Sequence, residues 1–291
     1  MRGEKTMSFH KRPHTYVSQV RLCVLNLERS QDFYVNMLGL RVLEKGERTI
    51  AFTANGTDPL ITVEQPEGIL PRQPHEAGLY HFALLLPSRK DLAAVLAHLL
   101  KDGWPLQGGA DHAVSEAVYL ADPDGNGIEL YRDRPPKQWN WENGKVYMPT
   151  VGLDEQILHE LDGQPWTGLP VQTMIGHIHL QVADLEAAAT FYTKGLGFRL
   201  VANYGQMADF LSTGGYHHHI GLNIWESKGR PASGENRAGM KWFTIDYPSR
   251  QARSEALQRV RTMGTDVTER EGDIFVADPS NLGIRLRVGK K

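Results

Sequence analysis

The chain has 291 residues, 41% hydrophobic and 23% charged, with a net charge of −2, an ordinary globular composition that gives no reason to expect nucleic acid or an anionic membrane as partner. No stretch reaches the ~20 apolar residues of a membrane helix, and the basic start MRGEKTMSFHKRPH lacks a signal peptide's apolar core and reads as a loose tail. A single cysteine, Cys23, excludes an internal disulfide and any multi-cysteine zinc or iron–sulfur site within the chain, and fits a reducing cytoplasm.

In chain order, residues 17–43 (VSQVRLCVLNLERSQDFYVNMLGLRVL) alternate as a strand. They then meet a helix cap at Asn26, carry a Phe33-Tyr34 pair on the helix, and stop at Gly39. Residues 79–104 (LYHFALLLPSRKDLAAVLAHLLKDGW) read strand, Pro-Ser-Arg, helix, glycine stop. They lead to a hairpin at 118–132 (VYLADPDGNGIELYR), punctuated by Asp-Pro-Asp-Gly. Residues 133–172 are rich in Pro, Trp, Asn and Gly. They predict an ordered linker, because Trp139, Trp141 and Trp166 are costly to expose, with one or two helical turns in LDEQILHEL.

The pattern then starts again. Residues 175–201 (IGHIHLQVADLEAAATFYTKGLGFRLV) repeat the first segment, with Asp184 for the cap, Phe191-Tyr192 for the pair and Gly197 for the stop. Residues 240–265 and 274–288 repeat the second segment and its hairpin. Four units therefore follow one another as odd, even, odd, even. Units one and two span 14–132 and units three and four span 173–288, joined by the linker 133–172. Twelve histidines, many in strand-like segments, hint at metal or acid–base chemistry.

This α+β arrangement of four βαβββ modules resembles the vicinal oxygen chelate superfamily of glyoxalase I, bleomycin-resistance proteins and extradiol dioxygenases. Within it the chain is similar to the two-domain catechol-2,3-dioxygenases of Bacillus-like bacteria. The stretches GLYHFALLLPSRKDL, HAVSEAVYLADPDGNGIELY, GHIHL and GGYHHHIGLNIW carry the likeness. The resemblance implies paired modules, each pair forming a partly closed sheet around a cavity, with metal ligands on the first and last strands of a module. His177 lies seven residues before Asp184, and Gln19 lies seven before Asn26. His81 lies six before Pro87, and Trp242 six before Pro248; Glu129 and Arg285 lie seven after Asp122 and Asp278. Only units two and three together supply a ligand set, His81, Glu129 and His177. The cavity is therefore expected between those two modules, with units one and four as a metal-free partner. Two histidines and one carboxylate make the facial triad of non-haem Fe(II) oxygenases. The resemblance implies Fe(II), with Mn(II) as the alternative, and O2 as co-substrate.

The same resemblance assigns three further groups. If Ala121 pairs with Gly127, Tyr119 stands opposite Glu129 and faces the metal; its implied role is a hydrogen bond to the substrate oxygen. His112 falls where the family has a group near the ring hydroxyls. In YHHHIGLN, read as a strand, either His218 points inward or His217 and His219 do. The family's strand histidine before a small residue matches His218 before Gly221 and implies a general base. His179 shares the face of His177. The implied activity is extradiol cleavage of a small catechol-like diol to a muconic semialdehyde. The alternatives are a para-hydroquinone-cleaving dioxygenase, a drug-sequestering binding protein and a glyoxalase-type lyase. Exposed sheet edges leave a homo-oligomer open.

Overall fold

The computed structural model describes residues 8–290 except 231, 233 and 235. Unit one runs β1 (Tyr16–Cys23), α1 (Leu27–Asp32), a wider π-type turn (Phe33–Met37), β2 (Arg41–Lys45), β3 (Thr49–Thr53) and β4 (Ile61–Glu64). Unit two runs β5 (Gly78–Leu86), α2 (Arg89–Lys101), β6 (Leu106–Asp111), β7 (Ser115–Ala121) and β8 (Gly127–Asp133). The connecting stretch holds β9 (Trp141–Glu142), β10 (Lys145–Val146), β11 (Val151–Gly152) and a short 3-10 helix, Glu155–Glu160. Unit three follows as β12 (Met174–Gln181), α3 (Leu185–Thr190), a second π-type turn (Phe191–Gly195), β13 (Arg199–Tyr204), β14 (Ala208–Ser212) and β15 (Ile220–Asn223). Unit four is β16 (Gly239–Tyr247), α4 (Arg250–Thr262), β17 (Val267–Arg270), β18 (Asp273–Ala277) and β19 (Gly283–Val288).

Local chemistry explains the helix boundaries. Asn26, Ser88, Asp184 and Ser249 each accept a hydrogen bond from a first-turn backbone N–H, removing one orphan donor per helix. After the odd-unit helices the chain passes through Gly39 (φ +70) and Gly197 (φ +92), a conformation that side chains resist.

The strands make two large sheets. One has the order β17-β18-β19-β16-β1-β4-β3-β2, the other β11-β6-β7-β8-β5-β12-β15-β14-β13. Within each unit the first and last strands are parallel neighbours, as in β5–β8 and β12–β15. The units join through antiparallel first strands, β12 on β5 and β1 on β16. Strands 78–133 thus share a sheet with strands 174–223. The odd-unit helices tie the sheets together. Tyr34 Oη donates to Asp122 Oδ2 at 2.9 Å, and Tyr192 Oη donates to Asp278 Oδ2 at 3.1 Å. The Phe-Tyr pair of the repeat therefore fastens each odd-unit helix to the hairpin turn of the following unit. Among the described residues no helix is long and apolar enough to cross a membrane.

Two expectations change. Part of the presumed tail is packed: Phe9 and His10 are buried, Phe9 sits 5.1 Å from the Tyr216 ring, and His10 Nε2 lies 2.8 Å from the Gly176 carbonyl. Aromatic contact offsets the entropy of ordering this segment. The remainder of the expected tail, residues 1–7, lies outside the described residues. The histidine run is not strand either. Residues 213–219 form a turn, and β15 begins only at Ile220, so face alternation does not govern where the three rings point.

Candidate metal centre and cavity

Ala83 is the geometric hub of the site. It pairs with Glu129 on one side and with His177 on the other. Side chains at paired positions share a face, so Glu129 and His177 flank a methyl group that is too small to keep them apart. His81, two residues earlier on β5, shares that face. A register shift in β12 between Ile175 and His177 brings His177 opposite Ala83, the re-aiming that a bulge performs. Gly176, inside the bulge, is required by a close approach: a Cβ there would stand 1.7 Å from Tyr131 Oη.

The ligand atoms of His81, Glu129 and His177 all lie within 4.8 Å of one another, and all three residues are buried. Both imidazole Nε2 atoms lie 3.0 Å from the same oxygen, Glu129 Oε2. His177 Nε2 makes a hydrogen bond there, whereas His81 Nε2 is buried with no hydrogen-bond partner. Adjacent ligands on a small divalent ion, with bonds of about 2.1 Å, stand about 3 Å apart. The spacing and the orphaned nitrogen thus fit a divalent metal, and the donor set is that of a facial triad. Burial alone would raise the Glu129 carboxyl, but His177 and His81 hold it well below the usual range. Burial lowers His177, against the pull of Glu129. The group is therefore a carboxylate between two imidazoles, a donor set suited to a divalent cation, and to ligate through Nε2 His177 must pass the proton it shares with Glu129 to Nδ1, which is buried without a partner.

Above these groups opens a cavity of about 650 Å³, whose lining includes His112, Tyr119, Met148, Phe210, His218 and Trp225. Tyr119 pairs with Glu129 in the β7–β8 ladder, and Ala121 with Gly127. Burial and the Glu129 charge push the Tyr119 phenol well above its ordinary value, so it stays a neutral hydroxyl. His112 Nδ1 lies 2.8 Å from the Pro149 carbonyl and its Nε2 lies 2.8 Å from Tyr119 Oη. A carbonyl only accepts, so Nδ1 carries the proton, and in neutral His112 the Tyr119 hydroxyl donates to Nε2.

The histidine run divides. His218 lines the cavity, with its ring centroid 4.1 Å from that of His177. Burial, then the neighbouring imidazoles, keeps it well below its ordinary value. His217 and His219 are fully buried and point elsewhere: His217 Nε2 meets Asp133 at 2.8 Å, and His219 Nε2 lies 3.2 Å from the Phe9 carbonyl. His179 also lines the cavity and meets Asn223 Nδ2 at 3.0 Å. Sequence reasoning missed His10, Tyr131, Asp133 and Tyr216 behind the site. Alternation along β8 from Glu129 carried a signal for two of them, since Tyr131 and Asp133 share its face.

The corresponding positions of the other sheet bring together no comparable donor set among the described residues. Arg285 stacks 4.4 Å from the Trp242 ring and bonds Gln19, Thr244 at 3.1 Å and Asp273 at 3.0 Å. Phe275 pairs with Arg285 as Tyr119 pairs with Glu129. A guanidinium fills the space and offers no lone pair.

The model of the Glyoxalase/Bleomycin resistance protein/Dioxygenase superfamily matches residues 16–130 and 174–282. Catechol-2,3-dioxygenase of Bacillus subtilis (strain 168) is 44% identical over 269 residues, covering 91% of this chain and 94% of the relative. Biphenyl-2,3-diol 1,2-dioxygenase 2 of Rhodococcus globerulus is 27% identical over 134 residues, covering 45% of this chain and 70% of the relative. Among solved structures, glyoxalase I from Zea mays superposes with a TM-score of 0.58 at 14% identity, covering 94% of this chain and 92% of that one, a likeness of fold.

Proposed function

We propose that this chain, which belongs to the Glyoxalase/Bleomycin resistance protein/Dioxygenase superfamily, is an extradiol dioxygenase that inserts O2 into a catechol-like diol and releases a muconic semialdehyde. The observation that carries this reading is the buried convergence of His81, Glu129 and His177 at the base of a cavity lined by Tyr119 and His218. The 44% identity to a catechol-2,3-dioxygenase over nearly the whole chain supports it. His81, Glu129 and His177 would hold Fe(II), with Mn(II) the alternative for the same donors. When bound, the metal would supply a Lewis-acid and electron-transfer centre for a diol and dioxygen.

The chain's own residues do the rest. Neutral His218 takes a proton from a substrate hydroxyl. Tyr119, whose hydroxyl proton points to His112 Nε2, accepts a hydrogen bond from a substrate hydroxyl, while Phe210, Met148 and Trp225 line the cavity that receives the ring. A glyoxalase-type lyase would call for a second carboxylate at the metal. Among the described residues the metal-facing group has one, Glu129, whereas Glu226 is exposed at the rim, 3.8 Å from His75.

Oxygen uptake on mixing Fe(II)-loaded protein with catechol tests the proposal. Uptake with a yellow semialdehyde product is expected, and His81→Ala should lose both the metal and the uptake. Iron-loaded wild type that consumes oxygen with hydroquinone and not catechol would replace the ortho diol by a para diol. Loaded protein that consumes oxygen with neither would defeat the dioxygenase reading.

A further inference from the structure

Behind His218 runs a hydrogen-bonded chain, buried at the histidines and partly exposed at Asp133, that the proposed reaction leaves unused. His218 Nδ1 and His217 Nδ1 are 2.8 Å apart, His217 Nε2 lies 2.8 Å from Asp133 Oδ1, and Tyr216 Oη donates to the same oxygen at 3.2 Å. Tyr131 Oη completes the chain, 2.7 Å from Tyr216 Oη. His217 and Tyr216 are fully buried. Burial, and then Asp133, keep the Tyr216 phenol well above its ordinary value, so it acts as a neutral donor. Among the described residues the one ion-pair partner of Asp133 is His217.

An ionised carboxylate accepts and cannot donate. The proton in the Asp133 contact therefore sits on His217 Nε2. With one proton per imidazole, the other nitrogen is then bare, and His217 Nδ1 is an acceptor. Two bare nitrogens would repel at 2.8 Å, so the proton between the rings belongs to His218 Nδ1. Neutral His218 carries one proton, which leaves Nε2 with its lone pair on the side of the cavity that the ring lines.

We infer that Asp133 is a positioning residue that acts through His217 to fix the tautomer of His218, presenting a bare Nε2 to whatever hydroxyl binds in the cavity. The inference rests on the proposed role of His218 as base and deepens it. The device is one-directional because its far end is a carboxylate. An amide in place of Asp133 can donate to His217 Nε2 instead. That would reverse the two imidazole bonds between residue 133 and His218, leaving His218 Nδ1 bare and turning Nε2–H toward the substrate, where it can no longer take a proton. Glu129, Tyr131 and Asp133 alternate on one face of β8, so a single strand supplies a metal ligand, a tyrosine of the chain and its terminal carboxylate.

Histidine side-chain ¹⁵N spectra of the zinc-loaded, diamagnetic protein read the tautomer directly. In wild type, His218 is expected to show a protonated Nδ1 and a bare Nε2; in Asp133→Asn the two should exchange or average. With Fe(II), D133N should lower kcat for catechol about tenfold or more with KM within about twofold, within the range of general-base effects. The deficit should shrink with 4-nitrocatechol, whose more acidic hydroxyls need the base less; a merely structural defect would slow both substrates equally. Asp133→Glu, which keeps an accepting carboxylate, should recover most of the rate. A wild-type His218 protonated at Nε2 overturns the inference, even if D133N fails to fold. So does a folded D133N whose tautomer and kcat match wild type while wild type cleaves catechol. A wild type with bare Nε2 that turns over no diol would instead defeat the proposed activity and leave the tautomer assignment standing.

Discussion

Ala83 stands between Glu129 and His177 in the sheet, and its side chain is fully buried. A larger residue there would fill the space where the three ligand atoms meet. Ala83→Leu is expected to cost about 1–3 kcal/mol of stability by overpacking and to abolish tight metal binding, checked by elemental analysis beside a thermal melt. A variant that keeps full metal content would show that the ligands do not need this small neighbour. The candidate ligand residues could be singled out from sequence because the family resemblance implies first- and last-strand positions, which short local spacings to Asp122, Asp184 and Pro87 locate. Asp133 carried only the weaker signal of sharing the face of Glu129, because its role comes from His217, 84 residues away in the chain.

At the level of elements, the tyrosine–aspartate ties are the joints between helix and hairpin. Tyr34→Phe deletes the donor to a buried Asp122 and is expected to cost about 1–3 kcal/mol, read as a shift in denaturant midpoint. The matching tie gives a pH signature. Burial raises the Asp278 carboxyl from 3.8 to about 6, against the bonds from Leu282, Ser280 and Tyr192. Between those values the folded chain keeps a proton that the unfolded chain has released. The contribution is therefore fully present below pH 3.8 and lost as pH rises through about 6. Asp278→Asn cannot ionise and should lack that decline, so its stability relative to wild type should rise across this window by up to about 3 kcal/mol. A pH-independent difference between the two proteins would refute the raised pKa. The odd-unit helices were legible from their caps and glycine stops, local features of a few residues. The π-type turns and the β12 bulge were not, since each answers to packing against another element.

For the whole molecule, pairing first strands across the sequence midpoint makes one sheet with a candidate ligand set and one with Arg285 in the equivalent place. The expected stoichiometry is one tightly bound divalent ion per chain, falling to none in His177→Ala and unchanged in Arg285→Met; two ions per chain would contradict the reading of the arginine-filled sheet. The sequence by itself determined the βαβββ repeat, because strand alternation, caps and glycine stops are short-range signals repeated four times. It also determined that Tyr119 faces Glu129, because a hairpin turn sets its own register. Tertiary structure alone decided that the histidine run lies outside the ladder, that His218 and not its neighbours lines the cavity, and that Phe9 and His10 pack behind it. Those outcomes depend on contacts between segments distant in the chain, such as His217 with Asp133, 84 residues apart, and His219 with Phe9, 210 residues apart. Linear spacing carries no record of such contacts, because the energy that fixes them comes from burial against surfaces that exist only once the sheets have formed.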